Sequence, residues 1–286
     1  MKIALGLPVS RPESLLDWAR RADAGPFSAL GLLDRVVYDN PEPMVTLAAV
    51  AAATTRVRVQ TEVLLSPLRN PTLLAKQSAT LDRLSNGRFT LGLGIGARMD
   101  DFAAVGVDPR DRGRRLDEQM SLMRRIWAGE PSAEDAGPVG PAPVRPGGPE
   151  VLFGAFQPAG LARVARWGDG FVCAAPASGA GDLFRTVERF WNEADREGRP
   201  RLVAQVNVAL GPESTVDEAR EALRAYYAFT GDDALYGADE TVRRMLTTTR
   251  DLRDTIKAYG DLGADEIMLY CWSSSVDQVD RLAELA

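Results

Sequence analysis

The chain of 286 residues contains no histidine. That absence excludes Ser-His-Asp and Cys-His nucleophilic catalysis, the H-E-x-x-H zinc site and the 2-His-1-carboxylate iron site. Any acid–base step falls to Asp, Glu, Tyr, Arg, Lys, Cys or a cofactor. Cysteine is limited to Cys173 and Cys271, far apart and without metal-ligand spacing, so buried free thiols are expected and no metal. Lysine is nearly missing, present only as Lys2, Lys76 and Lys257. The formal net charge of −6 and an isoelectric point near 5.0 argue against nucleic acid or an anionic membrane as partner. No apolar stretch approaches the ~20 residues that span a bilayer. At the N-terminus Lys2 leads into a short apolar run ending at Pro8, which is not a signal-peptide pattern. A cytoplasmic protein acting on a small molecule is expected.

What is there is a regular alternation of strand and helix patterns. "KIALGLP" (2–8), "FSALGLLD" (27–34), "RVRVQTEVLL" (56–65) and "GRFTLGLGIG" (87–96) read as strands. Helical patterns at 12–23, 43–54, 71–85 and 114–129 separate and follow them; the third has Pro71 at its start and Gly87 just past its end. An irregular Pro/Gly-rich loop covers 130–150, after which the alternation resumes. Strands are expected at 151–156, 170–175, 201–210 and 265–272, and helices at 158–168, 180–197, 215–229, 239–247, 250–262 and 276–286. Two halves of a doubly wound sheet would give this count, but the spacing is even and no composition shift marks a boundary. The simpler solution is an α/β fold of one domain over 1–286, a closed (β/α)8 TIM barrel, whose usual size is about 250 residues.

The strand at 87–96 contains Gly92, Gly94 and Ala97, which fit the G-x-G-x-x-[GA] fingerprint of a dinucleotide-binding turn. That turn belongs after the first strand of its domain with a helix starting at the third position. Here three strand–helix units precede it and "RMDDFAAVGVDPRDRG" follows as a loop. Two other readings stand. A flat ring pressed against Gly92, Gly94 and Gly96 at the C-terminal end of a barrel strand would use the space that glycine leaves. Alternatively the glycines only bend the strand.

The stretch from "RVRVQTEVLLSPLRNPTLLAKQSATLDRLSNGRFTLGLGIG" to "RRLDEQMSLMRRIWAGE" resembles the luciferase-like monooxygenase superfamily. That superfamily includes bacterial luciferase and the FMN- or deazaflavin-dependent oxidoreductases. "GPAPVRPGGPEVLFGAF", "LARVARWGDGF" and the C-terminal "LGADEIMLY" extend the likeness. It implies the same barrel, with a flavin over its C-terminal mouth. By the resemblance, Thr61, Glu62 and Val63 lie beside the ring, with a bulge or a non-prolyl cis peptide. Gly94, Gly96 and Ala97 line the same pocket. The phosphate is expected at Gly154, Ala155, Phe156 and Gln157, where backbone N–H groups of a helix N-terminus favour an anion. Arg112 either adds charge there or is an ordinary helix-start arginine.

The sequence departs from the family pattern in three places. Asp34-Arg35 stands where many members carry Asp-His, Gly154-Ala155-Phe156-Gln157 where many carry Gly-Gly-x-Ser, and no long capping insertion is present. Arg35 is free to pair with Asp34 or with an anionic cofactor or substrate group. Glu62, a carboxylate inside "VRVQTEVLL", either faces the pocket, where burial raises its pKa and suits it to proton transfer, or pairs with an arginine. Glu62, Asp34 and Arg35 are the candidate catalytic residues; Tyr270 and Trp272, at the end of the last strand, are candidates for the substrate wall. The expected activity is a flavin-dependent oxidoreductase or monooxygenase, using reduced FMN with oxygen or an F420-type deazaflavin for hydride transfer. A separate flavin reductase is a possible partner for the first form. The alternative is a flavin-fold protein without redox activity, a ligand-binding protein or cofactor-independent catalyst. A homodimer is also expected, since family members usually dimerise beside the early strands and "PMVTLAAVAAAT" has no polar face.

Overall fold

A computed structural model of the protein describes residues 1–230 and 237–285. Nine parallel segments form its sheet: β1 (Lys2–Gly6), β2 (Ala29–Leu32), β3 (Arg58–Thr61), β4 (Leu64–Leu65), β5 (Phe89–Gly94), β6 (Glu150–Gly154), β7 (Gly170–Cys173), β8 (Arg201–Val208) and β9 (Glu266–Cys271). They run in the order β3-β2-β1-β9-β8-β7-β6-β5-β4, and β3 also pairs with β5. The sheet therefore closes. β3 and β4 are two halves of one stave interrupted at Glu62–Val63, where the peptide bond is cis, so the closed barrel has eight staves. This is the (β/α)8 barrel, in one unit, that the alternation predicts.

The helices are α1 (Leu15–Ala24), α2 (Pro43–Ala53), α3 (Pro71–Leu84), α4 (Met99–Ala104), α5 (Arg112–Trp127), α6 (Pro158–Trp167), α7 (Ala177–Glu193), α8 (Glu213–Tyr227), α9 (Ala238–Arg243), α10 (Thr249–Asp261) and α11 (Asp277–Ala283). Their ends follow local chemistry. Asn70 caps α3 by accepting from Leu73 N at 3.1 Å, with Pro71 in the first turn, and the chain leaves through Asn86 and Gly87, both at positive φ. The short α4 lies within the stretch expected to be loop; its six residues are too few for a periodic pattern to show. Helix 276–286 was expected to run further than α11 does, and residue 286 lies outside the described residues. The loop at 130–150 is not a linker. Lys76 donates to Gly140 O at 2.7 Å and Asp82 accepts from Val144 N at 2.7 Å, which ties the loop to α3.

The two faces of the sheet have opposite character. Outward residues such as Leu5, Leu30, Val59, Leu91, Phe153, Phe171, Leu202 and Leu269 are buried against the helices in one continuous core, with Cys173 and Cys271 as free thiols within it. The inward face carries small residues on β1 and β2 (Ala4, Gly6, Ala29, Gly31) and larger ones on β9 (Met268, Tyr270). Across the barrel Leu152, Val172, Val203 and Val63 form a separate apolar cluster. At the N-terminal ends of the strands the filling is ionic instead of the usual branched apolar layer. Glu150 Oε2 accepts from Arg58 at 2.9 Å, Thr90 at 2.7 Å and Arg201 at 2.6 Å, and Arg201 also bonds Glu266 at 3.0 Å. Among the described residues no helix is long and apolar enough to cross a membrane.

Candidate active site at the barrel mouth

Inward residues alternate along β3, so Arg58 and Gln60 enter the barrel, and the chain beyond Thr61 turns Glu62 in as well. Glu62 is only 2% exposed, and its Cγ would touch a Cβ added to Gly31 on the neighbouring strand at 2.6 Å. Gln60 Nε2 donates to Glu62 Oε1, while Oε2 has no partner. Among the described residues no arginine or lysine is within ion-pair distance of this carboxyl. Burial pushes its pKa up to about 8; the Gln60 donor and the more distant Arg201 oppose the shift, and the charge of Glu266 adds to it. At neutral pH Glu62 therefore keeps its proton.

The other two candidates are engaged elsewhere. Asp34, 4% exposed at the end of β2, accepts from Leu65 N at 2.8 Å and receives Arg69 on both oxygens at 2.9 and 3.0 Å. It joins the end of β2 to β4 and is a positioning residue, not a free acid. Arg35 does not pair with Asp34. It is paired with the fully buried Asp101 of α4 at 3.7 Å, and its guanidinium lies 4.7 Å from the Tyr226 ring centroid and 4.2 Å from that of Phe229. Asp101 also accepts from Val36 N and Val37 N at 3.1 and 2.7 Å. Arg35 thus holds three segments together at the mouth, the loop after β2, α4 and the end of α8. No single-segment pattern marks Asp101, Tyr226 or Phe229 as its partners, because the contacts join positions distant in sequence.

The glycine ladder has a packing cause. A Cβ on Gly92 would lie 2.0 Å from the Thr61 carbonyl oxygen, and one on Gly94 2.5 Å from Val63 Cγ2. A Cβ on Gly154 would lie 3.2 Å from Val63 Cγ1. The space that a Cβ would take at Gly92 and Gly94 is filled by the interrupted stave, which gives the ladder a packing role. Thr61 also donates its hydroxyl to Gly92 O at 2.7 Å. Gly96 has φ of 78° and faces the Phe102 ring, so glycine is needed there for conformation. Ala97 follows, exposed at the mouth.

Tyr270 is fully buried, with its ring where a Gly6 Cβ would be and its hydroxyl without a partner. Burial, and next the nearby Glu62, push that hydroxyl well above its ordinary pKa. Trp272 donates Nε1 to Asn207 Oδ1 at 2.8 Å and its ring lies 5.2 Å from Tyr226. Both residues face the barrel's upper interior, together with Tyr226 and Tyr227, which the "AYYAF" run contains but the sequence reading does not single out.

The turn Gly154-Ala155-Phe156-Gln157 opens toward solvent ahead of α6, with Phe156 and Gln157 exposed. Pro158 has no N–H, and those of Gly160 and Leu161 both donate to Gln157 O, at 2.8 and 3.0 Å. This helix start therefore offers fewer free amides to an anion than a glycine-rich turn would. Arg112, half-buried at the start of α5, donates Nη1 to Pro109 O at 2.7 Å and leaves Nε unpartnered; its neighbour Gly113 abuts Arg163 of α6. The mouth fits a flavin-type cofactor in kind: an orphaned carboxyl and phenol lie below it, an open turn and a cation beside it. By contrast, a groove on the flank between α5 and α6, lined by Arg114, Asp117, Glu118, Ser121, Arg166 and Trp167, contains charges that are largely paired already.

The model of the luciferase-like monooxygenase family matches residues 3–284. The chain belongs to that family. An uncharacterised protein of Mycobacterium tuberculosis is 34% identical over 170 residues, 57% of this chain and 60% of the relative. The 4-hydroxyprotoasukamycin monooxygenase of Streptomyces nodosus subsp. asukaensis is 28% identical over 238 residues, 75% of this chain and 64% of the relative. The matches thus span less than two thirds of either relative. An F420-dependent secondary alcohol dehydrogenase, solved with an F420–acetone adduct, superposes with a TM-score of 0.81 at 20% identity, covering 100% of this chain and 98% of the other. At that identity the likeness concerns the fold. Family membership supports oxidoreductase activity; it names neither the cofactor nor the substrate.

Proposed function

We propose that this luciferase-like protein is a flavin-dependent oxidoreductase of small organic substrates, with Glu62 as its proton-handling group. The observation that carries the reading is the state of Glu62. In a chain without histidine, Asp34 and Asp101 near the mouth are held by arginines, and burial also raises the Asp34 pKa. Among the described residues near the mouth, Glu62 is the acid that is buried, unpaired with a cation and protonated at neutral pH. When bound, the cofactor supplies the redox step, either oxygen activation by reduced FMN or hydride transfer with an F420-type deazaflavin. A monooxygenase among the sequence relatives and an F420-dependent dehydrogenase among the structures of the same fold keep both forms open, and the FMN form calls for a separate flavin reductase. The chain's own residues do the rest. Arg112 and the turn from Gly154 to Gln157 hold the anionic end. Gly96, Ala97 and the backbone from Thr61 to Val63 border the ring, and Trp272, Tyr226 and Tyr227 exclude water. Glu62 keeps a proton available to an atom brought to the mouth.

One observation favours a second reading, a family member that binds a ligand without redox turnover: the amide-poor start of α6, where Pro158, Gly160 and Leu161 leave little for a phosphate. One experiment tests both. The purified protein is titrated with FMN and with the deazaflavin, which absorb differently. Saturable binding of one of them is expected, followed by its reduction or oxidation with substrate. Binding of neither overturns the proposal, and binding without redox change supports the second reading.

We also propose that the protein acts as a homodimer through α2 and α3. Glu42 caps α2 by accepting from Val45 N at 2.7 Å, and Met44, Leu47 and Val50 face inward. The outer face is apolar as well: Val45 is 72% exposed, and Leu73 on α3 is 59% exposed. Apolar residues on the outer side of both helices suit a second protein surface. Light scattering is expected to return twice the 31.0 kDa chain mass; a monomer mass contradicts the assignment.

A further inference from the structure

Among the described residues, four buried polar atoms without hydrogen-bond partners belong to residues that face the inside of the barrel: Gln60 Oε1, Glu62 Oε2, Tyr270 Oη and Glu266 Oε1. They come from β3 with its continuation and from β9, two staves separated by β2 and β1. The separation is bridged because, above Lys2 at the exposed floor end, β1 and β2 contribute Ala4, Gly6, Ala29 and Gly31 to the interior. A Cβ on Gly31 would touch both Glu62 Cγ at 2.6 Å and Met268 Cε at 2.9 Å. The side chains of Glu62 and Met268, from the two staves, therefore meet inside the barrel over Gly31. An unpaired polar atom in such a place costs about 1–3 kcal/mol, and ordered water is the usual remedy where several such atoms converge.

Below this group lies the ionic floor. Gln60 is the register partner of Thr90, and Thr90 is that of Glu150. Thr90, Arg58 and Arg201 all donate to Glu150, and Arg201 reaches on to Glu266. The floor is also the side open to solvent, with the Arg58 and Glu150 side chains 32% and 21% exposed. At the other end, Arg35, Tyr226, Phe229 and Trp272 are packed across the mouth. Of the charged or titratable groups facing Glu62, Arg58 comes from β3, Glu150 from β6, Arg201 from β8, and Glu266 and Tyr270 from β9. On β1, Lys2 lies on the same face as Ala4 and Gly6 at the exposed floor end and is the register partner of Glu266, so it adds a cation beside the floor. The inner faces of β2, β5 and β7 offer Ala, Gly, Thr90 and Val172.

We propose that the barrel axis is a proton path, in which ordered water joins Glu62 to Glu266 and the Arg201–Glu150–Arg58 floor opens it to solvent on the side away from the mouth. The proposal rests on the reading of Glu62 as a proton-handling group, but not on which cofactor the mouth binds. In the resupply direction an O–H bond of a solvent hydronium ion at the floor breaks, leaving water, and the proton forms a bond to the carboxylate at Glu266 Oε1. The intervening water takes that proton and gives one of its own to Oε2 of Glu62, which is a carboxylate after its proton has left at the mouth. Water and Glu266 end as they began, and the net change is one proton moved from solvent to Glu62. Nothing is oxidised or reduced. The path lets Glu62 recover its proton while substrate and cofactor cover the mouth. Glu266 acts through Glu62 and does not touch the substrate.

The test needs neither cofactor nor substrate. Infrared spectra of the unloaded protein at pH 6.5 to 7 (roughly one unit below the Glu62 transition) are expected to show a protonated-carboxyl band that Glu62→Gln removes. On transfer to D2O that band shifts as the proton exchanges. Glu266→Gln keeps an acceptor for Arg201 but cannot relay a proton, and it is expected to slow the shift by at least about tenfold, since removing a proton-transfer group typically costs roughly 10²-fold or more and local opening supplies a slower route. Glu150→Gln, at the solvent end, is a second variant should the first fold poorly, with slowing again expected. An unchanged rate in whichever variants fold overturns the path. If Phe229→Ala speeds exchange while Glu266→Gln leaves it unchanged, the proton leaves by the mouth and the path is equally overturned. Absence of the band in the wild type overturns the reading of Glu62 as well, which separates the two failures.

Discussion

Glu62→Gln lowers turnover by roughly 10²-fold or more, the usual cost of removing a general acid–base group, and leaves cofactor binding nearly unchanged. The amide keeps the shape and the contact with Gln60, and it cannot titrate. The same variant changes the pH dependence of stability. Burial raises the Glu62 pKa from 4.5 to about 8, so between these values the native state binds more protons than the unfolded state. Stability that Glu62 leaves intact below pH 4.5 is therefore lost as pH rises toward 8, by about 3 kcal/mol at pH 7. Gln has no such loss. Wild type and variant should unfold at similar urea concentrations near pH 4.5, with the variant the more stable at pH 7 and above. Parallel stability curves contradict the raised pKa. A variant that melts earlier at every pH but turns over normally reveals a structural role. Because Asp34 is bound to Arg69 on both oxygens, it is not a ready substitute acid.

Gly92→Ala destabilises the protein by about 3 kcal/mol, the upper part of the range for overpacking a filled interior. The new Cβ would lie 2.0 Å from the Thr61 carbonyl oxygen, and a backbone atom cannot swing aside as a side chain does. Either β5 moves away from the interrupted stave or Thr61 does, and both movements displace Glu62, one residue on. Gly137→Ala is the control, since nothing lies within 4 Å of its added Cβ; a change within about 0.5 kcal/mol is expected there. Urea unfolding of the three proteins decides it. If Gly92→Ala is as stable as the wild type, the glycine is not required by packing, and the idea that it leaves room for a ligand ring regains ground.

These two residues show how far sequence reasoning reaches. That Glu62 stands in a β-branched strand where a carboxylate is out of place is visible from its neighbours, because strand patterns are local and have a period of two. Whether it meets an arginine is not visible, since Arg58, Arg201 and Arg69 are all in the chain and their distances depend on how the staves close. The glycine ladder is equally legible as a pattern. Its cause, the Thr61 carbonyl and the Val63 side chain, comes from a stave whose interruption no residue type announces. The α4 segment was missed because six residues are too short for helical periodicity, and its Asp101 for the same reason.

By itself the sequence determined the eightfold alternation, the barrel, the family and the exclusion of histidine-based and thiol–imidazole chemistry. All of these follow from composition, from short-range periodicity and from a long contiguous motif. Only the tertiary structure decided which acids are free. It paired Arg35 with Asp101 instead of Asp34, bound Asp34 to Arg69, and left Glu62 unpaired on the axis above an ionic floor. The physical reason is that charge pairing and desolvation act through space over a few ångströms, between residues 31 to 204 positions apart along the chain.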